Sequence, residues 1–173
     1  NNGIKVDVNL LKELKETNNK YIQELTAQIY KISGVEFNIN SPKQLGVVLF
    51  ETLGLATAKK TKTGYSTDEA VLSGLVDAHP VISLLLKYRE AYKLQSTYIE
   101  PLLELGLKNP DNRIHTSFLH TGTATGRLSS KNPNLQNIPV RSGAGAKIRE
   151  AFIPKDGYKF VGIDYSQIEL RLL

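Results

Sequence analysis

Through the first 105 residues apolar side chains recur at helical intervals, and beyond them that period is lost. Asp7 stands ahead of the first periodic run, in which Leu10, Leu14, Tyr21, Leu25 and Ile29 recur at three to seven residues. The pattern predicts a helix from an Asp7 cap to about Ile32, stopped by Gly34. "SPKQ" is a second helix start, with Ser41 as N-cap, Pro42 in the first turn and Gln44 closing a capping box. Leu45, Val48 and Leu49 give that helix an apolar face as far as Gly54. A polar connector, "KKTKTGYSTDE", runs on from Lys59, and within it Ser66 and Glu69 stand at capping-box spacing before a short helix that His79-Pro80 interrupts. A long helix is predicted from Val81 to about Ile99, with Val81, Leu85, Tyr88, Tyr92 and Ile99 on one face and Pro101 loosening its end. These segments read as antiparallel helices with a basic tip between the second and third.

After "KNPDNR" the residues change character: β-branched, aromatic and turn-forming types take over. "RIHTSFLHT" predicts a strand with partial alternation, "SSKNPNLQNIP" an irregular segment, "YKFVGID" a buried strand and "SQIELRLL" two turns of helix. The boundary is expected near residue 108, and the fold class is α+β, helices first and antiparallel strands after. No internal repeat or low-complexity tract interrupts this order.

Composition narrows the class. With 173 residues, 40% apolar and 23% charged, the chain suits one domain with a core or two small lobes, and not a disordered segment. No run approaches the roughly 18 apolar residues of a membrane span, and no signal-peptide pattern opens the chain. Without cysteine there is neither a disulfide framework nor a thiolate metal site, and a reducing cytoplasm fits. Methionine is also absent and the last amphipathic pattern breaks off at Leu173, so the chain is expected to be an excerpt of something longer.

The net charge of +5 is uneven. Residues 1–110 hold 13 Lys/Arg against 12 Asp/Glu, whereas residues 111–173 hold 9 against 5. That bias fits an anionic partner, nucleic acid first among them, and equally a solvated basic surface. Lys59, Lys60 and Lys62, with Thr63, Ser66 and Thr67, form a loop rich in phosphate donors that also fits an ordinary solvated loop. It contains no Walker pattern. In "TATGRLSSKNPNLQNIPVR" the donors Arg127, Asn134, Gln136, Asn137 and Arg141 lie on a stretch too irregular to be core. Asn and Ser there can make turns. Such donors also suit the minor groove, where every base pair presents an acceptor whatever its sequence. Asp164 ends an apolar run. Asp164 with Gln167, or Ser166 with Glu169, matches a capping box, so both acids can also simply start a helix.

"TGRLSS", "PNLQNIPVR" and "DYSQIELR", in that order, closely resemble family A DNA polymerases of the bacterial DNA polymerase I type. A weaker resemblance extends back over "FNINSPKQLGVVLF", "KTKTGYST" and "YREAYKLQSTYIEPL", so nearly the whole chain is covered. The resemblance implies that residues 1–108 are a helical thumb and 109–173 the first part of an antiparallel β palm. It implies duplex contacts by Arg127 in the minor groove, by Asn134, Gln136 and Asn137 at groove edges and backbone, and by Arg141 at a primer phosphate. Lys59, Lys60, Lys62, Thr63, Ser66 and Thr67 would be the thumb tip. Asp164, with the backbone carbonyl of Tyr165, would bind Mg²⁺ in a two-metal site of which this chain holds half the carboxylates. Ser166 and Gln167 would lie beside the incoming nucleotide or the template-side duplex, and Glu169 would be the gate against a ribose 2′-hydroxyl. "FLHTGTATG" departs from the family, with Leu119-His120 where many members carry a His-Gln or Asn-Gln pair.

The function implied is that of part of a DNA-directed DNA polymerase, with primer–template duplex and, in the complete enzyme, dNTPs as partners. It would act as a monomer, in the cytoplasm and at the nucleoid, with no membrane partner. A non-catalytic duplex-binding module on the same fold is the alternative, and a single-subunit RNA polymerase, which lacks a glutamate at the gate, is a third.

Overall fold

Asp7, itself extended, turns its carboxylate onto the chain that follows: Oδ1 accepts from the backbone N–H groups of Asn9 at 2.9 Å and Leu10 at 3.0 Å. This N-cap starts helix α1 (Val8–Ser33), which ends where Gly34 takes a left-handed φ of 73° and its N–H reaches the Tyr30 carbonyl. Both signals act as the sequence predicts. The computed structural model describes residues 2–56, 60–61, 64–139 and 143–173, and only the backbone at Lys60, Thr61, Ala144 and Glu169.

Helix α2 (Pro42–Val47) is capped by Ser41, whose Oγ accepts from Gln44 N–H at 3.4 Å. The reciprocal half of the expected capping box differs, because Gln44 Oε1 accepts from Asn38 N–H at 2.8 Å. The helix widens into a π turn (Val48–Thr52), and two short strands, β2 (Lys60–Thr61) and β3 (Gly64–Tyr65), pair antiparallel. Helix α3 (Glu69–Ser73) follows Asp68 with no side-chain cap. The capping box expected of Ser66 and Glu69 does not form, since the Ser66 hydroxyl bonds to Asp68. His79 caps helix α4 (Pro80–Leu94) through Nδ1, which accepts from Val81 N–H at 3.3 Å.

The long helix outlasts its predicted end. After α4 a π turn (Gln95–Ile99) leads into helix α5 (Glu100–Lys108), with Pro101 in its first turn. Proline has no N–H to donate and its ring crowds the carbonyl four residues back, a conflict that the π turn just ahead of it accommodates. The wider turn therefore lets the rod continue past Pro101.

Helices α1 and α4 run antiparallel, as the order of their core contacts shows. Leu25 and Ile29 pack with Val81, Ile82 and Leu85, whereas Leu11 packs with Leu94, Ile99 and Leu102. Two cores result. The outer one draws on residues between Ile22 and Tyr88. The inner one joins Val6, Leu11 and the α5 face to Ile114, Ile138, Ile148 and Ala151, so both sides of residue 108 contribute to it. Tyr21 and Tyr92, placed on apolar faces by periodicity, are 43% and 41% exposed, and the Tyr92 ring stacks on Tyr88.

The inner core is floored by a three-stranded antiparallel sheet. Its central strand, β1 (Ile4–Val6), pairs with β4 (Arg113–Ile114) and β7 (Phe152–Ile153), in the registers Ile4↔Ile114 and Val6↔Phe152. "RIHTSFLHT" is thus two strands, β4 and β5 (Ser117–Leu119), and β5 pairs instead with β6 (Ser129–Lys131). Helix α6 (Gly143–Glu150), unannounced by its Gly-rich sequence, adds Ile148 to the core. "YKFVGID" is not a buried strand. Residues 158–164 form no regular element, and Val161 and Ile163 are 81% and 89% exposed. A strand needs a hydrogen-bonded neighbour, and no described residue pairs with this one. Helix α7 (Ile168–Leu172) closes the chain, in place of the helix expected over 166–173.

Candidate nucleic-acid interface

The described part of the expected basic tip is β2 and β3, and Tyr65 of β3 packs against the outer core. Lys59, Lys62 and Thr63 lie outside the described residues, and Lys60 is described through its backbone, paired with Tyr65. At the foot of the hairpin Ser66 and Thr67 are buried, 3% and 5% exposed. Their hydroxyls are engaged within the chain. Ser66 Oγ donates to Asp68 Oδ2 at 2.8 Å, and Thr67 Oγ1 accepts from Arg89 Nη2 at 3.2 Å. Arg89, on α4, also donates through Nη1 to the Thr67 carbonyl. Burial pulls the Arg89 guanidinium below its ordinary pKa, and the carboxylates of Asp68 and Glu69 oppose that shift. A groove of 430 Å³ opens here, lined by Pro42, Tyr65, Ser66, Thr67, Asp68, Glu69 and Arg89.

The irregular segment after β5 has a definite internal order. Its exposed polar residues include Arg127, Asn134, Gln136 and Asn137; Arg141 lies outside the described residues. Thr123 Oγ1 donates to the Arg127 carbonyl at 2.7 Å. Ser130 is the hub. Its N–H donates to Gln136 Oε1 at 3.1 Å, and its Oγ donates to Asn134 Oδ1 at 3.2 Å while accepting from Leu135 N–H. Asn134 Oδ1 accepts again from Gln136 N–H at 3.0 Å, and Gln136 Nε2 donates to the Leu128 carbonyl at 3.0 Å. Two of the expected groove readers, Asn134 and Gln136, therefore also hold the loop that bears them. Each retains an amide N–H beyond those bonds, so both tasks are chemically compatible.

Asp164 lies in the exposed stretch before α7, followed by Tyr165, itself 71% exposed. Gln167 occupies the N-cap of α7 with a left-handed φ of 51° and makes no side-chain cap bond. With Gln167 at the N-cap, Asp164 does not cap α7, so the capping box expected of Asp164 and Gln167 is not formed. The Glu169 side chain lies outside the described residues. Arg171 Nε donates to the Ser166 carbonyl at 3.1 Å, folding the helix back on its approach. The oxygen donors of Asp164 and the Tyr165 carbonyl suit a hard divalent cation. Among the described residues no group of three or more His, Cys, Asp or Glu could enclose one. The donor set fits Mg²⁺ in kind and is partial in number.

The sequence profile of DNA polymerase family A matches residues 8–173. The chain belongs to DNA polymerase family A. It is 53% identical over 173 residues to DNA polymerase I of Bacillus subtilis (strain 168), covering 99% of this chain and 19% of that protein. DNA polymerase I of Deinococcus radiodurans is 51% identical over 174 residues, again with 99% of this chain covered and 18% of the relative. Among solved structures, the POL domain of Pol1 from M. smegmatis, in complex with DNA primer-template and dNTP, superposes on 98% of the chain with a TM-score of 0.86 and 44% identity. The chain corresponds to 30% of that domain chain. The α+β architecture is thus that of part of a family A polymerase domain. No helix among the described residues is long and apolar enough to cross a membrane.

Side chains with no sequence signal also order these segments. Arg89 reads as a charge on a helix, Tyr98 as one more aromatic residue and Thr116 as a strand residue. Their bonds run to partners 22, 39 and 15–17 residues away. A groove of 860 Å³ lined by Lys5, Arg113, Lys155 and Lys159 contains none of the expected site residues, and two of its cations are paired, Lys5 with Asp156 and Arg113 with Asp111.

Proposed function

We propose that the chain is the duplex-gripping part of a DNA-directed DNA polymerase, adding dNMPs to a primer 3′ end under template direction. In this reading residues 1–108 are the thumb and 109–173 the first part of the palm. The observation that carries it is the likeness over 98% of the chain to a polymerase domain held with primer-template and dNTP. Arg127, Asn134, Gln136, Asn137 and Arg141 meet the duplex, with the Lys59–Thr67 loop at its backbone. The hydrogen-bonded order around Ser130 supports a loop stiff enough to present donors to a groove. The buried hydroxyls of Ser66 and Thr67 favour a role in holding the tip, with phosphate contacts left to its lysines.

Asp164 and the Tyr165 carbonyl hold one side of the Mg²⁺ site. A divalent cation bound there would supply activation of the primer 3′-hydroxyl and stabilisation of the leaving pyrophosphate. Glu169 crowds the sugar against a 2′-hydroxyl, and Ser166 and Gln167 lie beside it. The protein acts as a monomer in the cytoplasm, at the nucleoid.

The test is a fluorescence-anisotropy titration of the 173-residue chain with a labelled primer–template duplex at several salt concentrations, with circular dichroism to monitor folding. Affinity is expected to fall log-linearly with salt, by about 0.9 in slope per phosphate contact, and to drop with Arg127→Ala. A folded chain that ignores the duplex, or an Arg127→Ala variant that binds as well as the parent, removes this reading of the interface.

A further inference from the structure

The loop assigned to the duplex is held from outside as well as from within. Thr116, between β4 and β5 and 7% exposed, directs its hydroxyl at two carbonyls, that of Lys131 at the end of β6 at 3.1 Å and that of Pro133 in the loop at 2.7 Å. These lie on either side of the cis Asn132–Pro133 bond. One hydroxyl proton serves both, so the shorter contact carries the main bond. At the other end Tyr98, in the π turn of the helical arm and 5% exposed, donates its OH to the Asn137 carbonyl at 2.8 Å. The next residue, Ile138, is buried in the core that contains Tyr98, whereas the Asn137 side chain is exposed. A backbone tied at its carbonyl and sunk one residue later can present that amide in few directions. A groove of 280 Å³ runs along this junction, lined by Tyr98, Pro101, Asn132, Asn134 and Asn137 among others.

We propose that Tyr98 and Thr116 are positioning residues for duplex recognition. They fix the loop after β6 to the helical arm at one end and to the strand layer at the other, so that its donors meet nucleic acid already ordered. Binding by a loop that must first be ordered is weaker by the cost of ordering it. The inference rests on the duplex-binding reading and goes beyond it by naming what sets the loop.

Tyr98→Phe keeps the ring and its burial and deletes only the hydroxyl; Thr116→Val exchanges the hydroxyl for a methyl of similar shape, which cannot donate. In the 173-residue chain, titrated with labelled primer–template duplex, each is expected to weaken binding on the order of fivefold. The salt slope should not change, because no phosphate contact is removed. Asn137→Ala is expected to cost less affinity in the Tyr98→Phe background than in the parent, since its amide is no longer held. A lower urea midpoint with unchanged affinity in both hydroxyl-deleted variants, or costs of Tyr98→Phe and Asn137→Ala that simply add, overturns the inference. If Tyr98→Phe fails to fold, Thr116→Val against Thr116→Ser, which keeps the hydroxyl, decides. Failure here is distinct from failure of the duplex reading. If Arg127→Ala weakens binding while Tyr98→Phe and Thr116→Val do not, only the positioning role falls.

Discussion

Glu100 illustrates how much a single carboxylate can be asked to do at the joint between the two cores. It accepts from Gln95 Nε2 at 3.2 Å and lies 3.2 Å from Lys15 Nζ. Gln95, buried in the π turn, in turn accepts from Asn18 Nδ2 at 2.9 Å, and Asn18 also donates to the Ala91 carbonyl. The hydrogen bond from Gln95, followed by Lys15, holds the Glu100 carboxyl below its ordinary value of 4.5. A folded pKa lowered in this way contributes stability that is whole above pH 4.5 and is lost as pH falls through the folded value. Because the side chain is 40% exposed, water screens much of the effect. Glu100→Gln is therefore expected to be slightly less stable than the parent at pH 7 and to converge with it in acid. Urea midpoints from pH 7 to pH 3 check this, and a difference that stays constant removes the assignment. At this scale the sequence was legible where a bond is local, as at Asp7 with Asn9 and Gly34 with Tyr30. It was silent where partners are far apart in the chain, as for Arg89, Tyr98 and Thr116.

Among the elements, α5 comes close to the region around β1. A Cβ added to Gly106 would stand 2.8 Å from Val6 Cγ2 and 3.1 Å from Val8 Cγ1, and Val6 is fully buried. Alanine would favour the helix by about 1 kcal/mol, so only steric conflict can make the change harmful. Gly106→Ala is expected to lower stability by about 1–3 kcal/mol in urea unfolding. A stabilised variant would mean that Val6 yields. Element prediction succeeded for α1 and α2, where apolar period and N-cap agree. It failed for β1, whose three residues are too few to carry a period, and for α6, whose glycines argue against a helix. The "YKFVGID" segment reads as a strand by composition, yet among the described residues nothing offers it a hydrogen-bonded edge.

For the molecule as a whole, the family was legible in three contiguous motifs, while the packing between arm and strand layer was not. Residue 108 is where α5 ends, but Val6 and Leu11 share a core with Ile114 and Ile148 across it. The proposed chemistry is tested at the same scale, because the chain spans about a fifth of the curated relatives it matches. A chimera in which these 173 residues replace the matching stretch of the Bacillus subtilis relative is expected to extend a primer on a DNA template. Asp164→Asn should abolish extension while leaving duplex binding in place, and Glu169→Gly should admit ribonucleotides. Extension by the Asp164→Asn chimera at the parent rate sinks the metal-binding role, and an inactive but duplex-binding chimera favours the non-catalytic module.

The outer core has a further consequence. Among the described residues its members all lie between Ile22 and Tyr88, and the paired rods α1 and α4 run from it into the inner core. Such an arrangement is modular. The tip can be lengthened, shortened or exchanged for another helical cap without rewiring the strand layer, provided the two rods still meet across the polar rung formed by Asn18 and Gln95. Variation in how far the arm reaches can then accumulate independently of variation in the layer below it.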